Sequence, residues 1–174
     1  MPRLLLLDNN ILSKILRPEV NENKPVFEAI SRLQGNPQFR IYVPEIVDYE
    51  LRRKLLHLGH RRPQTRKWAR EALSELDEWV SMGYIPLTTK AMRLAADLWA
   101  QTRANGQLRG PEDGLDVDVI LAAQARQAGG YILTTNEKHF RSIADVFDWK
   151  TFQEYRNKRS PLTAPARSSA PAAK

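Results

Sequence analysis

Four consecutive leucines, Leu4 to Leu7, run straight into Asp8, and Asn9-Asn10-Ile11-Leu12 follow it. A run that is apolar at every position leaves no face for water. It therefore reads as a strand covered on both sides, as in a mainly parallel sheet between helical layers. A carboxylate at the carboxyl end of such a strand lies at the crevice where open α/β sheets bind ligands. Burying it without a partner would be costly, so Asp8 is expected to have a task.

The rest of the chain alternates in the same way. Residues 3 to 8 read as a strand and 10 to 16 as a helix; Pro25 starts a second helix, which Gly35-Asn36-Pro37 ends near residue 34. Phe39 to Val43 is the next strand, and Pro44 opens a helix running through Glu50 to about His57, broken by Gly59 to Pro63. Residues 64 to 81 form a long amphipathic helix with Trp68, Ala72, Leu76 and Trp79 on one stripe, stopped by Gly83. Tyr84 to Leu87 is a short strand, and Thr88 or Thr89 caps a helix carrying Met92, Ala95, Ala96 and Trp99. After a loop from Asn105 to Gly114, a helix from about Leu115 to Gln127 ends at Gly129-Gly130, before the strand Tyr131 to Leu133. Val146-Phe147 reads as an edge strand and Thr151 to Arg156 as a last helical turn. The tryptophans at 68, 79 and 99 are expected in the core or an interface.

A chain of 174 residues supports one core, and a single domain over 1–155 is expected, with residues 57–83 as a helical arm. Residues 156–174, rich in Pro, Ala and Ser, are expected to be a disordered basic tail. The chain has no cysteine, which excludes thiolate metal sites and a Cys nucleophile and suits a reducing cytoplasm. The leading apolar run is too short for a signal peptide or a membrane span, so a cytoplasmic location without membrane contact is expected.

The formal charge of +7 is unevenly placed. Residues 51–70 and 156–174 hold 13 basic residues and no acid, leaving 14 bases against all 20 acids in the rest, a net of −6. A basic surface beside an acidic body suits a polyanion such as nucleic acid, although a solvated helix face and a solubilising tail would look alike. Arg52, Arg53, Arg61, Arg62, Arg66 and Arg70 are the candidate phosphate contacts, the last four as a rim guiding the strand toward the acids.

Those acids are Asp8, Glu50, Asp116 and Asp118, with the amide Asn136 closing Tyr131-Ile132-Leu133-Thr134-Thr135-Asn136. Carboxylates that converge raise one another's pKa unless a cation compensates them, and an oxygen-only donor set favours Mg²⁺ or Mn²⁺ over Zn²⁺. Such a site can hold phosphate oxygens and activate water. Asp116 and Asp118 are placed at the amino end of their helix, where the dipole favours the ionised form; Asp116 reads as well as a plain N-cap. Of the histidines, His57 and His60 lie in the basic stretch as phosphate contacts or surface, and His139, beside Phe140, reads as structural.

The segments Leu7-Asp8-Asn9-Asn10-Ile11-Leu12, Glu50 at the end of Pro44-Glu45-Ile46-Val47-Asp48-Tyr49-Glu50, Asp118-Val119-Ile120-Leu121-Ala122-Ala123, and Leu133-Thr134-Thr135-Asn136-Glu137-Lys138-His139-Phe140 resemble, in this order and spacing, the PIN-domain nucleases. Within them the chain is similar to the toxins of bacterial type II toxin–antitoxin pairs, over about residues 3 to 150. The resemblance implies a three-layer α/β/α sandwich with a mainly parallel sheet, and a Mg²⁺- or Mn²⁺-dependent endoribonuclease. It implies Asp8 and Asp118 as main metal ligands, Glu50 as third acid, and Asn136 at a fourth position that is Asp in many relatives. Asn10 and Thr134 match residues that orient the acids, whereas Asn9 departs from the commoner Thr or Ser. An RNA substrate and a cognate antitoxin are the implied partners; a homodimer is expected instead from the amphipathic residues 64 to 81, which could pack in a dimer.

Competing chemistries lack their residues. No Gly-rich phosphate loop and no Gly-x-Ser-x-Gly elbow occurs. A haloacid-dehalogenase-like phosphatase shares the strand ending in Asp and the later strand ending in Thr, but needs a second Asp where Asn10 stands. A non-catalytic nucleic-acid-binding protein of the same fold is the remaining alternative.

Overall fold

The computed structural model describes residues 1–106 and 112–153, with the side chains of 112–115 and 153 excluded. The expected tail, and the last turn beyond Gln153, lie outside the described residues. Five strands, β1 (Arg3–Leu7), β2 (Phe39–Pro44), β3 (Tyr84–Ile85), β4 (Tyr131–Thr134) and β5 (Val146–Asp148), form one sheet in the order β3-β2-β1-β4-β5. Every pairing is parallel, and β1 is central, with Leu5 opposite Ile41 on one side and Tyr131 on the other.

The helices are α1 (Asn9–Ile15), α2 (Lys24–Gln34), α3 (Glu45–Arg61), α4 (Arg66–Met82), α5 (Thr89–Ala104), α6 (Glu112–Ala128) and α7 (Lys150–Gln153). Parallel crossovers are right-handed, so α1 to α4, on the steps outward to β3, cover one face, and α5 and α6, on the return to β4, cover the other. This is the expected α/β sandwich. Leu5, Leu6, Leu7, Ile132 and Leu133 are fully buried between the layers.

Several boundaries differ from the sequence reading. Pro44 ends β2 with extended dihedrals and flanks α3, which runs on through Gly59 to Arg61. Gly59 is tolerated there because it lies against α4, where an added Cβ would stand 3.5 Å from the Ala69 methyl. Residues 57–83 thus form the end of α3, a 3₁₀ turn at Pro63–Thr65 and α4, whose Ala69, Ala72 and Leu76 are buried. The strand at Tyr84 stops at Ile85, since Pro86 has no N–H for the ladder. On α5 the buried stripe is Ala91, Ala95, Leu98 and Thr102, about one residue from the expected one, which leaves Met92 exposed. Thr88 is its cap, with Oγ1 accepting from Ala91 N–H at 3.0 Å.

Two glycines act for different reasons. Gly129 has φ +64 and, with Gly130 N–H donating to Ala125 O at 2.9 Å, closes α6 in a Schellman turn. Gly83 is extended and needs no special dihedral; a Cβ there would lie 2.7 Å from the Ile41 carbonyl, so close approach to β2 is what requires glycine.

Candidate active site

Strands β1 to β3 step away from β1 in one direction and β4 lies on its other side, so the topological switch point falls between β1 and β4. Asp8 and Thr134 stand there, at adjacent strand ends. Asp8 N–H donates to Leu133 O at 3.0 Å, and the Asp8 carbonyl accepts from Ile11 and Leu12 as α1 begins. One residue thus terminates a strand, starts a helix and keeps its carboxylate for other partners.

That carboxylate is 6% exposed. Thr134 Oγ1 donates to Asp8 Oδ2 at 2.6 Å and Asn10 Nδ2 donates to the same oxygen at 3.2 Å. Both orienting residues therefore act on Asp8. Thr134, itself fully buried, also accepts from Asn136 N–H at 3.0 Å. Burial pushes the Asp8 carboxyl up; the Thr134 hydrogen bond and the Asn9 and Asn10 amides oppose this, and the Glu50 charge adds to it.

Asp118, on α6, faces the same crevice. Its pKa is raised to about 6, first by burial and then by the Asp8 charge, with His139 opposing. The expected helix-dipole stabilisation fails because α6 starts at Glu112, which places Asp118 nearly two turns in, beyond the reach of the terminal dipole. The same start removes the N-cap reading of Asp116. That residue is exposed, and two positions apart on a helix do not face one way, so Asp116 is not brought to Asp118.

Glu50 projects from α3 and is held rather than free: Asn9 Nδ2 donates to Oε2 at 2.8 Å and Lys54 Nζ to Oε1 at 2.6 Å. Asn136 lies on the other flank. Its Nδ2 is 3.0 Å from His139 Nε2, and His139 Nδ1 is 3.3 Å from Asp118 Oδ2. An amide nitrogen only donates, so Nε2 accepts and the ring proton sits on Nδ1, facing the carboxylate. The sequence reading of His139 as structural is corrected: it bridges Asn136 to Asp118. Asn9 and Lys54 were also missed. Lys54 was legible as the i+4 partner of Glu50, whereas nothing in the sequence spacing relates His139 to Asp118.

Among the described residues, no three Asp, Glu, His or Cys side chains group closely enough to hold a metal ion by themselves. Glu50 is engaged by Asn9 and Lys54, while Asp8 lies close enough to Asp118 for its charge to raise that carboxyl. The donor chemistry still fits a hard divalent cation. Mg²⁺ takes one or two protein carboxylates and fills its shell with water and phosphate oxygens, and Asn9 Oδ1 is a buried acceptor without a partner beside these acids.

The expected phosphate contacts divide. Arg61, Arg62, Arg66 and Arg70 are exposed at the α3–α4 turn, and Arg53 is exposed on α3 with its guanidinium 5.4 Å from the Tyr49 ring. Arg52 is not available in the same way: it pairs with Asp48 at 2.8 Å and Asp77 at 2.7 Å, tying α3 to α4 away from Glu50.

Comparison with known proteins accords with this arrangement. The fold is similar to FitAcB from Neisseria gonorrhoeae at 22% identity and TM-score 0.63, over 84% of this chain and 98% of that one. It is also similar to VapBC from Salmonella typhimurium, at 18% identity and TM-score 0.63 over 86% and 99%. A third likeness is VapBC-5 from Mycobacterium tuberculosis, described as a member of the VapBC family of toxin-antitoxin systems, at 19% and 0.54 over 84% and 97%. Comparison with curated proteins finds no match. The PIN domain model matches residues 5–146, which span β1 to β5 and every acid of the switch-point site, so the chain belongs to the PIN domain family.

Proposed function

We propose that the protein is a Mg²⁺- or Mn²⁺-dependent endoribonuclease, acting as the toxin of a toxin–antitoxin pair. The observation that carries this is the placing of Asp8 and Asp118 at the switch point, where the Asp8 charge works against ionisation of Asp118 and the Glu50 charge works against that of Asp8. A pair so arranged is compensated by a cation, and when bound the metal supplies charge for phosphate oxygens and acidifies water. Asp8 and Asp118 would hold it. Thr134 and Asn10 fix the Asp8 carboxylate, Glu50 is kept at the rim by Asn9 and Lys54, and His139 holds a proton toward Asp118. The Arg61, Arg62, Arg66 and Arg70 group is the rim that guides RNA in, and charge reversal at those four should abolish the salt dependence of cleavage. Asn10 donates to Asp8 where a phosphatase would need a carboxyl acid, which disfavours that alternative.

The toxin assignment rests on the fold likeness to VapBC chains, and an antitoxin partner in the cytoplasm follows from it as part of the proposal. No described helix is long and apolar enough to cross a membrane. The test is incubation of purified protein with total RNA and Mg²⁺ or Mn²⁺, beside Asp8→Asn and Asp118→Asn. Loss of cleavage in both variants is expected. Equal cleavage by all three proteins would end the metal-nuclease reading, and release of free phosphate from a small phosphoester would favour the phosphatase.

A further inference from the structure

Helix α3 carries Glu50 to the acid site and then runs out of it for three turns. About its axis, Arg53, Lys54, His57 and Arg61 fall within about 60° of Glu50, at 3.6 residues per turn. They form a row about 16 Å long that begins at an acid and continues in base. From Leu51 to Arg61 the helix has no acid at all. On the solvent side of this row stands Tyr49, next to Glu50 in sequence and 58% exposed, with the Arg53 guanidinium 5.4 Å from its ring centroid.

A single exposed tyrosine is ordinary on a protein surface. Tyr49 differs in being tethered and in its neighbours. The cation over its ring restricts it, so less rotamer freedom remains to be lost on binding. A phenol ring offers a face to any nucleobase, and the same guanidinium can reach an adjacent phosphate, the two contacts from which single-stranded nucleic-acid sites are built. We propose that Tyr49 and Arg53 form a base-stacking platform that holds one unpaired nucleotide of the RNA substrate beside Glu50, with His57 and Arg61 following the backbone away from the site. The proposal rests on the ribonuclease reading for the identity of the strand. Beyond Glu50 the row is wholly basic, which suits the phosphate backbone of a polyanion.

The test is a binding titration of the whole chain in EDTA, which separates binding from cleavage, with a fluorescent single-stranded RNA oligonucleotide. Tyr49→Ala is expected to weaken binding about tenfold and Tyr49→Phe to stay within about twofold of wild type, since stacking needs the ring and not the hydroxyl. Oligonucleotides with one abasic position, scanned along the strand, should show a penalty at one position with wild type. That penalty should vanish with Tyr49→Ala, which a merely structural role would not produce. Unchanged affinity in Tyr49→Ala, an abasic penalty that persists in the variant, or no RNA binding by wild type would each overturn the platform. Dissociation of a self-associated form by Tyr49→Ala with RNA affinity intact would do the same, making the ring a protein contact. Failure of the nuclease reading appears elsewhere, as undiminished cleavage by Asp8→Asn.

Discussion

Replacing Asp118 by Asn should make the protein more stable at neutral pH, because the site stores electrostatic strain. The Asp118 carboxyl is raised from 3.8 to about 6, chiefly by burial and by the Asp8 charge. A carboxyl whose pKa is higher in the folded state binds its proton more tightly there. The folded state is therefore favoured below pH 3.8, and that advantage is lost as pH rises to 6. The rise from 3.8 to about 6 corresponds to about 3 kcal/mol. The side chain is 24% exposed, so solvent screening removes only part of this. Asn keeps an oxygen that accepts from His139 Nδ1–H but carries no charge. Urea denaturation in EDTA at pH 7.5 should show a gain of about 2 to 3 kcal/mol over wild type, or about 4 to 12 °C in Tm for a chain of this size. At pH 3.5 the difference should close to within about 0.5 kcal/mol. A variant no more stable than wild type at pH 7.5, or equally stabilised at both pH values, would refute the reasoning. On the proposed metal-nuclease reading, added Mg²⁺ should stabilise wild type more than the variant, which lacks one of the charges that would hold it.

Three further outcomes follow from individual contacts. Thr134→Val keeps the shape of a fully buried side chain but removes the donor to Asp8 and the acceptor for Asn136 N–H, so a loss of about 2 to 4 kcal/mol in denaturant stability is expected. The Asp8 carboxyl should rise further, and the acid limb of the pH–rate profile should move to higher pH. His139→Ala removes the group that opposes the rise at Asp118, so Asp118 should titrate higher, visible as the upfield, protonated position of its carboxyl carbon resonance persisting to higher pH. Leu76→Ala, at a position with no exposed surface between α3 and the sheet, should cost about 2 to 5 kcal/mol while leaving the pH dependence of activity unchanged.

The layered fold was legible because its signals are local. The leucine run, the Thr88 cap and the Gly129-Gly130 stop each fix a boundary from a few adjacent residues. What failed depended on neighbours in space: α3 passes through Gly59 because α4 lies against it, and β3 is cut short by a proline whose effect appears only once the ladder is known. The acids divide along the same line. Asp8 was readable from its own surroundings, whereas the difference between Asp116 and Asp118 depended on where α6 begins. Arg52 looked like its basic neighbours until Asp77, 25 residues on, was found holding it.

The hydrogen bond from Thr134 to Asp8 spans 126 residues of sequence, and it has a consequence for the life of the chain. During synthesis at about 5 to 20 residues per second, Asp8 leaves the ribosome roughly 6 to 25 seconds before the residue that orients it. Strands β1 to β3 can pair in that interval, yet the acid site lacks Thr134 until β4 docks against β1. On the proposed ribonuclease reading, a nascent chain that has not yet made β4 lacks the residue that orients Asp8, and cleavage of RNA is withheld until β4 has emerged.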